Sequence, residues 1–253
     1  MEKFHLSSYN DTTMNLWHSK LLQQIPWLFH TTSTKDFGSL RYPNFGEIGD
    51  QWKPARENFY QELGIDTKKV FMSGNIHGNQ VKLISSKDNY GRVEGYDGLL
   101  TTEPGLTLAV KTADCLPLFF VDPKNKIIGL IHSGWKGTAG NIAGAAVEEF
   151  KKLGSNSTDL LVAIGPSIKK CHYDISPERL IEMSGLKKYI TEKNGKFFVD
   201  LQTAVVDELL VAGVSQDNID ADPPCTMCKP EKYFSYHSSG KFEDSLLSVI
   251  VMR

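Results

Sequence analysis

Two apolar runs with polar residues at their ends limit this fold more than anything else in the chain. The first, LTLAVKTADCLPLFFVD (106–122), is apolar almost throughout yet carries Asp114-Cys115 in its middle. The second, KIIGLIHSGW (126–135), ends on His132 and a glycine. Short apolar runs rich in β-branched and aromatic residues, bounded by turn residues, read as buried strands. A kink is expected near Pro117, which cannot donate to a sheet ladder.

The rest of the chain supplies more strands and several helices. IPWLFHTTST (25–34) reads as an early strand. WKPARENFYQELGI (52–65) reads as a helix, with Phe59, Leu63 and Ile65 on its apolar face and Gly64 as its stop. KVFMSGNIHGNQVKLIS (69–85) reads as strand, turn, strand. GTAGNIAGAAVEEFKKLG (137–154) is a helix of small residues, DLLVAIGPSI (159–168) a strand, and SPERLIEMSG (176–185) a short helix. FFVDLQTAVVDELLVAGV (197–214) starts a helix near Asp200, and YFSYHSSG with LLSVIVMR reads as a final hairpin. Helices mixed with short buried strands imply a mixed α/β (α+β) sheet-based fold. No linker or repeat divides the 253 residues, so one domain over 1–253 is expected, with residues 1–25 peripheral.

Composition excludes several partners. A net charge of −2 and scattered basic residues leave no footprint for nucleic acid. No stretch reaches the length of a membrane span, and MEKFHLSSYNDTTMNLW lacks the pattern of a signal peptide, so a cytoplasmic location is expected. In that reducing setting the four cysteines read as thiols or metal ligands.

His77 in a turn, Cys115 after a strand and His132 at a strand end each stand where a side chain can point into a cleft. Imidazole and thiolate donors suit zinc, and three of them leave a fourth position for a reactant. The spacing alone also fits a buried apolar cysteine and hydrogen-bonded histidines. Cys225-Thr-Met-Cys228 is half of a zinc site or a redox pair, and its missing half could only be Cys171-His172. Pro223-Pro224 and Lys229-Pro230 fence it, so a plain loop is the preferred reading. Gly134-Trp135-Lys136-Gly137 leads into a helix and could hold an anion, although it lacks P-loop spacing. Arg56 lies on the helix after PNFGEIGD, where a solvated face is the simpler reading. Asp114 and Asp174 are the nearby carboxylates for proton transfer or for orienting a neighbour.

In order, IHGNQV (76–81), DGLLTTEPGLTLAVKTADCLPLFFVD (97–122), HSGWKGTAGNI (132–142), IGPSIKKCHYDI (164–175) and CTMC…YFSY (225–236) resemble a known family. It is the laccase-domain group, also called the YfiH or polyphenol oxidase family, and the likeness runs from about residue 37 to the end. The resemblance implies a single α/β sandwich holding one zinc ion on His77, Cys115 and His132. It implies phosphorolysis of adenosine, inosine and 5′-methylthioadenosine, together with deamination of adenosine. Purine nucleoside and phosphate are then the partners of a monomer or homodimer. Lys136, where the family usually has Arg, and Arg56 would serve phosphate, Asn75 would contact substrate, and Asp114, then Asp174, would protonate the base. The chain departs from the family in lacking arginines after FSY and before the last strand, with His237 standing near the first of these.

Three other readings compete. Cys115 activated by His132 would make a thiol hydrolase, with peptidoglycan precursors as one substrate class. A zinc- and nucleoside-binding module without turnover would explain the missing arginines. Copper-dependent phenol oxidation is disfavoured, since it needs many histidine ligands and the chain has seven in all.

Overall fold

The computed structural model describes residues 15–43, 49–241 and 243–253. His5 and residues 44–48 of the PNFGEIGD loop lie outside them. Two sheets carry the fold. One has the order β1 (Leu28–Thr32), β14 (Leu246–Met252), β6 (Thr107–Thr112), β2 (Val70–Ser73), β4 (Gly91–Val93). The other runs β13 (Ile219–Asp220), β9 (Leu161–Ile164), β7 (Leu116–Asp122), β8 (Ile127–Ser133), β5 (Gly98–Thr101), β3 (Val81–Leu83). A small third sheet joins β10 (Asp174–Ile175), β12 (Lys196–Val199) and β11 (Ile190–Lys193).

The two large sheets face each other through Phe71, Leu108, Val110 and Ile250 on one side and Leu99, Phe119, Leu130 and Ala163 on the other. The outer face of the first sheet is covered by helix α1 (Lys53–Glu62) through Phe59 and Tyr60. The outer face of the second is covered by α3 (Ile142–Lys152) and α5 (Leu201–Val211). β7 and β8 therefore have both faces buried, which is why their sequences do not alternate.

Local chemistry sets most element ends. Asp200 caps α5 by accepting from the Thr203 N–H. Pro54 sits in the first turn of α1, and Gly64 follows its end at φ 66°. The helix expected over 137–154 is two: α2 (Trp135–Ala139) and α3 are separated at Asn141, whose φ of 58° breaks the first helix while its side chain caps the second. The short helix after Ser176 is α4 (Pro177–Glu182).

Three expectations are corrected. The bend in 106–122 falls at Asp114, with φ 91°, not at Pro117, which sits at the start of β7 before pairing to β9 begins. YFSYHSSG is no strand. Ser235 caps a helical turn there, α6 (Tyr236–Ser239), and β14 pairs instead with β1 and β6. The described part of the N-terminal segment is also not peripheral, because Trp17 bridges to Thr32 and Leu22 is fully buried.

Glu208 on α5 accepts from the Ala143 N–H at the start of α3. Burial raises its carboxyl from 4.5 to about 8, and the N–H offsets only part of that. The folded state thus holds a proton that the unfolded state releases between those values. Its contribution is complete below about 4.5 and is lost as pH rises through about 8. Relative to wild type, Glu208→Gln is expected to gain about 2 kcal/mol at pH 8.5, discounted for partial exposure, and nothing at pH 4.5. Thermal melts of both proteins at the two pH values check this.

Candidate metal centre

The chain passes between the two large sheets repeatedly, and two of those crossings, β2 to β3 and β6 to β7, each deliver a candidate ligand. Residues 74–80 join β2 to β3 and carry His77 at φ 61°. Residues 113–115 join β6 to β7 and carry Asp114 and Cys115. His132 arrives near the end of β8, where its residue pairs with Pro117. One ligand atom each from His77, Cys115 and His132 lies within 4.8 Å of the others. The two imidazole rings meet edge to face with centroids 4.9 Å apart.

Asp97, just before β5, organises this cluster and was not singled out in the sequence. It is fully buried. Its Oδ1 lies 2.8 Å from His132 Nδ1 and accepts from the His77 N–H at 2.9 Å. Its Oδ2 accepts from the Gly78 N–H at 2.7 Å. Holding Nδ1 leaves Nε2 of His132 as the ligand atom, the usual device for orienting a metal-binding imidazole. Burial opposes ionisation of Asp97, yet the His132 contact and the two N–H groups hold its carboxyl below the ordinary range. The signal in the sequence was an aspartate at the foot of an apolar strand, in GYDGLL.

The electrostatics favour a cation between the ligands. Burial alone would lower the His132 pKa, but the Cys115 sulfur and the Asp97 carboxylate outweigh it and raise it to about 9. A buried site that stabilises an imidazolium is equally suited to a metal ion in the proton's place. His77 goes the other way. The residue is exposed, but its ring is crowded, and desolvation, then His132, lowers it to about 4. It stays a neutral donor at neutral pH, as a metal ligand must. Gly134 closes the cradle. Its φ of −86° suits any residue, but a β-carbon there would stand 2.7 Å from His77 Nδ1 and 3.2 Å from Cys115 Sγ. One borderline-soft sulfur and two imidazoles in this arrangement fit zinc better than a hard cation.

The remaining candidates are placed as follows. Asp114 is buried and accepts from Thr226 Oγ1, Ser235 Oγ and the His237 N–H, at 2.5, 2.9 and 2.7 Å. Asp174 lies 2.9 Å from His237 Nε2, and that hydrogen bond is the chief reason its carboxyl is lowered. Lys136 is exposed with Nζ 5.5 Å from the Trp135 ring centroid, and its charge reaches His77. Asn75 accepts from Ser73 Oγ and donates to the Lys111 carbonyl, tying β2 to β6. Arg56 is not on a solvated face: it is buried, paired in a fork with Asp50, bonded to the Arg41 carbonyl and stacked 3.7 Å over Tyr42. Arg179 of α4, unremarked in the sequence, lies 5.7 Å from the Trp135 ring on the same rim. Beside it Tyr173 is held well above the ordinary phenol range by burial, then by the Cys115 sulfur.

No described helix is long and apolar enough to cross a membrane. The chain is 34% identical over 203 residues, 76% of its own length and 70% of the relative's, to a protein named purine nucleoside phosphorylase YlmD from Geobacillus stearothermophilus. It is 31% identical over 200 residues, 74% of this chain and 76% of the other, to adenosine deaminase RL5 of an unknown prokaryotic organism. The crystal structure of YlmD from Geobacillus stearothermophilus superposes with a TM-score of 0.80 at 27% identity, over 90% of this chain and 93% of that one. Residues 32–253 match the sequence profile described as multi-copper polyphenol oxidoreductase laccase, and the chain belongs to that family.

Proposed function

We propose that the protein is a zinc-dependent purine nucleoside phosphorylase, cleaving adenosine, inosine or 5′-methylthioadenosine with phosphate to the free base and ribose 1-phosphate, with adenosine deaminase activity besides. The observation that carries this is the meeting of His77, Cys115 and His132 in a chain whose relatives bear those two names. His77, Cys115 and His132 would hold the zinc ion, which would supply Lewis acidity, the chemistry that activates a water for deamination.

The chain's own residues do the rest. Asp97 fixes the tautomer of His132, and the Gly134 cradle keeps the ligand set compact. Ile76, half exposed beside His77, and Trp135 offer apolar surface for a purine. Lys136 and Arg179 flank the Trp135 ring and supply positive charge for phosphate, a role that Arg56, committed to Asp50, leaves open. In phosphorolysis a phosphate oxygen bonds to C1′ as the bond to the purine nitrogen breaks, and the base leaves with that electron pair and needs a proton. Asp114 is already occupied by the segment 226–237, so we assign it to positioning, and give proton delivery to the Asp174–His237 pair.

The Cys115–His132 contact that raises His132 also fits a thiol hydrolase, in which Cys115 attacks and His132 is its base. His77 has no part in that reading. Metal analysis with a phosphate-dependence assay separates the two. Adenine and ribose 1-phosphate formed only with phosphate, by protein carrying zinc on Cys115, supports phosphorolysis. A zinc-free protein alkylated at Cys115 and indifferent to phosphate would refute it.

A further inference from the structure

A second cluster of ligands stands apart from the first in sequence. Cys171 and His172 lie in the turn after β9, closed by hydrogen bonds from the His172 and Tyr173 N–H groups to the Lys169 carbonyl. Cys225 and Cys228 lie in the loop after β13. The two segments are locked together by a bridge between Ser167 and Cys225, with the Ser167 N–H bonded to the Pro224 carbonyl and the Thr226 N–H to the Ser167 carbonyl. Their four ligand atoms, three sulfurs and one imidazole nitrogen, all fall within 4.8 Å of one another.

The separations match a tetrahedral ion. Cys171 Sγ is 3.7 Å from both Cys225 Sγ and Cys228 Sγ. His172 Nδ1 is 3.2, 3.8 and 3.5 Å from the sulfurs of Cys171, Cys225 and Cys228. Zinc with its usual bond lengths to sulfur and nitrogen gives tetrahedron edges of about 3.8 Å between sulfurs and about 3.6 Å from sulfur to nitrogen. All three cysteines are free thiols, and two are exposed. A disulfide could pair only two of these three thiols and would leave one over, whereas one ion satisfies all three at once.

We propose that Cys171, His172, Cys225 and Cys228 bind a second zinc ion in a closed, four-ligand structural site. Its place in the fold gives it a task. Thr226, between the two cysteines, donates to Asp114, the neighbour of Cys115, and the chain runs on to Ser235 and His237, which bond the same carboxylate. The ion pins this segment against the crossing that carries Cys115. The site is thus a staple for the first centre and does not depend on the reaction proposed for it.

Zinc counting by plasma mass spectrometry on protein purified in reducing, zinc-replete buffer tests this. Wild type is expected to hold two zinc ions per chain, and Cys115→Ala and the double variant Cys225→Ser/Cys228→Ser one each. Should the double variant not fold, Cys115→Ala carries the test alone: its remaining zinc should shield Cys171, Cys225 and Cys228 from iodoacetamide until a chelator is added. A single wild-type zinc that survives Cys115→Ala and shields those thiols supports the second site while refuting the first. A zinc-free Cys115→Ala protein, equal alkylation with and without chelator, or a disulfide among the three cysteines would overturn the proposal.

Discussion

Cys115→Ala is expected to lower phosphate-dependent cleavage of adenosine by about a thousandfold or more, a loss of about 4 kcal/mol in transition-state stabilisation. The reason is the donor count. Without the sulfur, two imidazoles remain, and one of them, His77, sits on an exposed turn. The chain should still fold, giving up only the stability that the lost ion contributes, because Cys115 is only partly buried and the strand it precedes is anchored on both sides by β8 and β9. A single cooperative melt, lowered by no more than the lost ion accounts for, together with one zinc ion fewer and no adenine by chromatography, is the expected set. A variant that turned over adenosine at the wild-type rate would remove the first centre from the mechanism.

Asp97→Ala should hurt in a different way, striking stability and metal affinity together. Three donors converge on this buried carboxylate: the His77 and Gly78 N–H groups and the His132 ring. Alanine strands all three, at about 3 kcal/mol for the buried groups and a 10- to 100-fold loss of metal affinity. Asparagine keeps the shape but turns an NH₂ toward one of the donors, so it should rescue little. Denaturant unfolding and competition with a zinc chelator measure the two losses separately. The wild-type contribution has a defined pH window. Asp97 is held ionised in the folded state, so its stabilisation is present above the ordinary carboxylate range and lost as pH falls below it.

Much of this architecture is readable in the sequence where local chemistry decides. The apolar runs of β7 and β8, the Asp200 cap and the Pro54 start of α1 are each fixed by a few adjacent residues. What escapes is decided across distance or by one backbone angle. Asn141 splits a segment that reads as one helix of small residues, through a left-handed conformation that no periodicity announces. Ser235 turns YFSYHSSG into helix, overriding an aromatic pattern that suits a strand. Arg56 lies on the buried side of α1, where Asp50 and the Tyr42 ring receive it, and neither contact can be read from helical spacing. The candidate ligands of the first centre were recognisable as polar residues at strand mouths, and their grouping was implied by family likeness. Asp97 was missed, since a carboxylate that orients a histidine leaves no spacing of its own. Cys171-His172 was visible as the only other half for Cys225-Thr-Met-Cys228, but meeting it depends on a bridge between segments 58 residues apart, from Ser167 to Cys225.

The passages from β2 to β3 and from β6 to β7 both run from one large sheet to the other and end at the same spot, and each brings one donor with it. An ion held by those donors would therefore be a clasp across the seam of the sandwich. The halves could not part without surrendering it, so metal supply would enter the folding equilibrium itself, and the protein's resistance to heat would become a function of the free metal around it.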